Sequence, residues 1–252
     1  MPSSRSMSAQ RYLYAIAAAD ALDGVEETGI ENEKIEFLMV DDIAAVVSRY
    51  RGDSVRPQRR NIAAHHKVLN ALIAVTTPLP ICFGTIVENA QAIRIALRHS
   101  RSDLEEALER VRGRVEMGLN VRWDRSNIFE YFVNRHASLR ALRDALYVGD
   151  REPSRDRKLK LGRLFSQLLD EDREYYTAQV EAIFGTCCIE IQCREPRKEA
   201  EVMRLSCLVE RDDQPVFEAA VFRAAVAFDD NYAFDFNGPW APHSFVDVPI
   251  TL

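Results

Sequence analysis

The sequence predicts an α+β protein built as two ferredoxin-like domains, and three observations carry that reading. Apolar residues alternate with polar ones at period two in several stretches, most clearly from Val115 to Trp123 and from Met203 to Val209. Between those stretches apolar residues recur every three to four positions, the mark of a helix with one buried face. The elements also follow in an order, strand, hairpin, helix, strand, helix, strand and then helix, strand, strand, helix, strand, that fits two antiparallel sheets with helices on one face of the first. A chain of 252 residues has room for two such domains.

In order, Tyr12 to Ala19 reads as the first strand. Two apolar runs, Ile35 to Val40 and Ile43 to Ser48, are split by Asp41-Asp42 and predict a hairpin. Pro57 opens a helix whose buried face is expected to hold Ile62, His66, Leu69, Ile73 and Thr76. Of His65 and His66, about 100° apart on that helix, one is expected to half-face the core and the other water. Pro78 and Pro80 end the helix, and Leu79 to Phe83 predicts a short strand before Gly84. One long helix is predicted from Glu88 to Val111, closed by Gly113 and followed by the alternating strand to Trp123.

The second half starts with Ser126 as cap of a helix that carries Ile128, Phe132, Leu139, Leu142 and Leu146. Gly149 to Arg157 is a charged connection, and a long helix runs from about Lys158 to Phe184 with Leu161, Leu164, Leu168, Tyr175, Gln179 and Ile183 on one side. Thr186 to Arg194 and Val202 to Arg211 predict strands. Pro215 opens a helix with Phe217, Val221, Ala224 and Phe228 inward, and Tyr232 to Phe236 predicts the last strand. The expected division is a disordered terminus over 1–10, a domain over 11–124, a second over 125–237 and an extended tail over 238–252.

That tail organises the functional reading. Gly238-Pro239-Trp240-Ala241-Pro242 ends the strand, because two prolines fix φ and remove N–H donors, and it presents Trp240, Phe245 and Val246 from a stiff segment. Those three are the candidate partner-binding residues; Trp240 as a plug for its own core is the competing reading.

Composition excludes several classes. Net charge is −6, so the chain as a whole offers no broad basic face for nucleic acid; the clusters Arg56 to Arg60 and Arg151 to Lys160 read as solvated helix starts. No apolar run approaches the roughly 20 residues that span a bilayer, and the polar, Ser-rich start has no apolar core of a secretory signal, so a cytoplasmic protein is expected. Five cysteines, Cys82, Cys187, Cys188, Cys193 and Cys207, make no Cys-x-x-Cys pair, and neither a disulfide framework nor a metal site is expected. Cys187, Cys193 and Cys207 fall on the apolar phase of strands. No phosphate loop, dinucleotide fingerprint or nucleophile elbow occurs, so no catalytic, cofactor or metal residues are assigned and no enzyme is expected. Glu116 is the carboxylate in the least ordinary setting, with Arg114 and Arg122 as candidate partners. A small-ligand sensor with ferredoxin-like domains is the alternative function, on fold analogy alone.

Several stretches together resemble the gas vesicle protein family GvpF/GvpL. They are Tyr12-Leu13-Tyr14, Ile43 to Ser48, His65-His66-Lys67-Val68-Leu69, Pro80 to Thr85, Gly113 to Leu119 and, most specific, Gly238 to Val246. The resemblance implies a cytoplasmic accessory protein of gas vesicle assembly, associated with the vesicle. It implies two domains, the first a modified ferredoxin-like fold, and no catalytic residues. The partners it implies are the small hydrophobic shell protein GvpA and other accessory Gvp proteins.

Overall fold

The computed structural model describes residues 10–146 and 154–247. Residues 1–9 of the disordered terminus expected over 1–10, most of the charged connection from Gly149 and the end of the tail from residue 248 lie outside the described residues. The chain forms two compact units. The first takes residues up to Met117, Leu208–Arg211 and everything from Gly238; the second takes Gly118–Cys207 and Asp212–Asn237.

The first unit is organised around β1 (Arg11–Ala18), in which Tyr12 to Ala17 are almost wholly buried. The hairpin β2 (Ile35–Val40) and β3 (Ile43–Arg49) turns at Asp41-Asp42 as expected, with Val40 opposite Ile43. β3 pairs antiparallel with one edge of β1. After α1 (Arg59–Ile73) the other edge of β1 is covered by two short strands, β4 (Leu79–Pro80) and β5 (Ile86–Val87). The sheet order is β2-β3-β1-β4, with β5 beside β4 on β1.

Helices cover both faces of this sheet, not the single face expected. Along β3, Ile43, Ala45 and Val47 pack with α2 (Ala90–His99) and α3 (Arg101–Val111) through Ile93, Leu97, Leu104, Leu108 and Val111. The alternate residues Ala44 and Val46 pack with α1 through Val68, Leu69 and Leu72. The reason lies in β1 and β3 themselves: Tyr12 to Ala18 and Ile43 to Val47 are unbroken apolar runs, and such a run has two faces to hide. The expected single helix over residues 88–111 is two, broken at Ser100, whose ψ of 18° leaves the helical region. The inward face of α1 keeps Leu69 and Ile73 of the expected set but not Ile62 or His66. His65, Val68, Leu69, Leu72 and Ile73 are buried, while Ile62 and His66 face outward.

Close approach rather than turn geometry fixes Gly29. A Cβ there would lie 1.9 Å from the hydroxyl of buried Tyr14, which accepts the Ile30 N–H at 2.7 Å and bonds Ser48 Oγ at 2.9 Å. Gly29→Ala is therefore expected to cost about 2 kcal/mol by overpacking, read as a lower denaturant midpoint. A midpoint equal to that of the unaltered chain would show that Tyr14 moves freely.

The second sheet has the order β7-β8-β6-β9, from β6 (Arg114–Trp123), β7 (Glu190–Arg194), β8 (Glu201–Glu210) and β9 (Tyr232–Trp240). β6 was expected to close the first sheet. It pairs instead between β8 and β9, and it supplies the strand the second half lacked. β9 runs on through Pro239 to Trp240, beyond the predicted end at Phe236, because an edge strand tolerates a proline that a central strand would not.

In the second unit, α4 (Ile128–Arg135) and α5 (Ala137–Leu146) replace the single predicted helix and break at His136; Asn127 rather than Ser126 caps α4, accepting the Glu130 N–H at 3.0 Å. The long helix α6 (Arg155–Phe184) buries Leu168, Leu169, Val180 and Phe184, and Tyr175, expected inward, is 63% exposed. Helix α7 (Gln214–Ala225) buries Phe217, Ala220, Val221 and Ala224, and Phe217 meets Phe184 with ring centroids 5.1 Å apart. Cys207 is buried as the strand phase predicted; Cys193 is exposed, its thiol 2.9 Å from Glu181.

Candidate functional site

The segment after Gly238 is fastened to the first unit. Gly238, at φ +127°, follows β6 so closely that a Cβ would stand 2.7 Å from Met117 Sδ and 2.9 Å from the Glu116 carbonyl oxygen, so only glycine fits. The Gly238–Pro239 peptide is cis. Beyond it, the Glu116 carboxylate accepts two hydrogen bonds from one residue, the Ser244 N–H at 2.7 Å and the Ser244 hydroxyl at 2.6 Å. Neither arginine expected to pair with Glu116 does so: Arg114 pairs with Glu210 and Arg122 with Asp124.

The three candidate partner residues divide. Phe245 is 3% exposed and Val246 packs against the first hydrophobic core, so both serve the interior in this conformation. Trp240 keeps 38% of its surface in solvent, with its ring edge against His66 at 6.2 Å between centroids. Ile62, one turn before His66 on α1, adds a further 37%-exposed apolar side chain.

Beneath this surface lies a buried aromatic and polar cluster that periodicity did not reveal. His65 Nδ1 is 2.9 Å from the Tyr12 hydroxyl, which accepts the Gly84 N–H at 2.9 Å. Phe83 packs edge-on against both rings, and Tyr14 lies 4.7 Å from Tyr12. Burial first, and then the neighbouring His66 and His243, lower the pKa of His65 to about 4, so it is neutral at pH 7. Desolvation of its ring lowers the pKa of His243, against the opposing pull of Glu116. The signal that marks these residues in the sequence is the set of short motifs, Tyr-Leu-Tyr, His-His, Phe-Gly-Thr, Gly-x-Val-Glu and Gly-Pro-Trp, which lie far apart in the chain and meet here.

Among the described residues no group of three His, Cys, Asp or Glu side chains is placed to hold a metal ion. A cleft of about 550 Å³ in the second unit runs between α6 and the β7–β8 hairpin. Several of its polar groups are engaged: Arg173 donates to the Glu199 and Glu201 carbonyls, Arg204 to the Glu195 carbonyl, and Cys193 to Glu181. No helix of the described residues is long and apolar enough to cross a membrane.

Fold and site thus define a mixed α+β protein with two antiparallel sheets and a C-terminal segment folded back to present an aromatic surface. Residues 10–247 match the family described as gas vesicle synthesis protein GvpL/GvpF, and the chain belongs to that family. Gas vesicle protein F of Nostoc sp. (strain PCC 7120) is 22% identical over 245 residues, spanning 96% of this chain and 100% of that one. The crystal structure of GvpF from Microcystis aeruginosa superposes with a TM-score of 0.82 at 20% identity, over 96% of this chain and 100% of the other. That of GvpF from Anabaena sp. PCC7120 gives 0.79 at 21% identity, over 96% and 97%. These likenesses establish the fold.

Proposed function

We propose that this protein is a cytoplasmic assembly factor of the gas vesicle that holds the hydrophobic shell protein GvpA before it enters the wall, with Trp240 as the anchor of the contact. Family membership supplies the gas vesicle setting. The observation that carries the contact is the exposed indole of Trp240, fixed at the surface by the Glu116–Ser244 hydrogen bonds. An aromatic side chain pre-ordered in this way loses little conformational entropy on binding, which is why such residues dominate interfaces. A shell protein that builds a β-rich wall exposes apolar surface and strand edges until it is assembled, and a partner that covers them prevents aggregation. No catalytic step enters this function.

Co-purification with GvpA tests it. The full chain is expected to retain the shell protein, and Trp240→Ala to weaken retention by about tenfold or more, the usual loss at an aromatic anchor. Retention unchanged by Trp240→Ala would move the contact to another surface. Failure of the full chain to retain GvpA would overturn the chaperone reading.

A further inference from the structure

The face of α7 that points away from its own core has the composition of an interface. Its buried side is Phe217, Ala220, Val221 and Ala224. The opposite side carries Ala219, Phe222 and Val226, of which Phe222 is 66% and Val226 88% exposed. Val226 still has helical backbone angles, so the three fall at i, i+3 and i+7 on one continuous stripe. Glu218 and Arg223, both exposed, flank the stripe on opposite sides.

This is the arrangement of a short coiled-coil seam, with apolar residues at the two inward heptad positions and opposite charges at the two flanking ones. We infer that the stripe is covered by α7 of a second copy of this chain, the two helices running parallel. In that sense each apolar residue meets its own equivalent across the two-fold axis. Glu218 of one copy then faces the partner's Arg223 five residues on, and symmetry repeats the pair on the other flank. The charges decide the occupant: one helix supplies both the acid and the base that its own copy requires, in the right order and spacing. A seam of only about two turns falls short of the ~1,200 Å² that a stable specific interface buries. The dimer is accordingly weak and depends on protein concentration.

Sedimentation velocity of the full chain over a concentration series reads the equilibrium directly. The expected result is a monomer that shifts toward dimer as concentration rises, and is fixed as monomer by Phe222→Ser, a change at an exposed position that leaves the fold intact. Glu218→Arg or Arg223→Glu alone should weaken the dimer by about tenfold, since each reversal sets like charges opposite on both flanks. Combining the two reversals in one chain should restore it. A chain that stays monomeric throughout, or a dimer indifferent to Phe222→Ser, would overturn the inference. A dimer that the double reversal fails to restore would overturn the parallel pairing.

Discussion

Glu116→Ala is expected to lower the stability of the first unit by about 3 kcal/mol, because it removes the shared acceptor of two charge-assisted hydrogen bonds. The loss is concentrated on one segment. Ser244 is then left without the carboxylate, and Phe245 and Val246, which it holds in place, are drawn out of the interior. Limited proteolysis should therefore cut after Gly238 in the variant well before the rest of the chain unfolds, and binding that depends on Trp240 should fall with it. Glu116→Gln keeps one oxygen acceptor at the same reach and should lose about half as much. If Glu116→Ala melts like the unaltered chain and resists protease equally, the carboxylate does not fasten the segment.

Acid is expected to destabilise the same unit between about pH 6.5 and pH 4, beginning above the range in which ordinary carboxylates titrate. His65 has a folded pKa of about 4 against an ordinary value of 6.5, so in this window the unfolded chain binds a proton that the folded chain refuses. Its contribution is complete above pH 6.5, declines as pH falls and is gone below about 4. A depression of this size corresponds to roughly 3 kcal/mol. His243, also lowered, acts in the same direction. Glu27, lowered by its bond to Lys67, keeps its contribution down to its ordinary value of 4.5 and loses it below, so the histidine phase begins first. Denaturant midpoints measured from pH 7.5 to 4 should show the slope, and His65→Gln should flatten it. An unchanged slope in that variant would assign the acid sensitivity to other groups.

Much of this architecture was legible in the sequence where a pattern has one physical reading. The alternation from Val115 to Trp123 could only be a half-buried strand, and the Asp41-Asp42 turn sits where the two apolar runs required it. Patterns with two solutions were misread. β1 from Tyr12 and β3 as far as Val47 are unbroken apolar runs, which says that both faces are buried but not by which helices. On α1, Leu69 and Ile73 are buried as expected, but tertiary packing turned His65 and Val68 inward in place of Ile62 and His66, an adjacent and similarly apolar choice. That choice decides the site, since it sends His65 to Tyr12 and leaves His66 for Trp240. The partner of Glu116 was beyond reach of any local rule, because Ser244 lies 128 residues away and the nearer arginines satisfy every spacing argument.

The first unit draws its parts from three separate stretches of chain, the last of them beginning at Gly238. A ribosome delivers those stretches in sequence, so the earliest sheet waits while all of the second unit is made. Until Ser244 emerges, Glu116 has no partner and the Tyr12–His65 cluster is without the segment that later lies over it. Domains usually mature in the order of synthesis; here the first to begin is the last to be sealed. Trp240 can take its place against His66 only once the whole of the second unit has been translated.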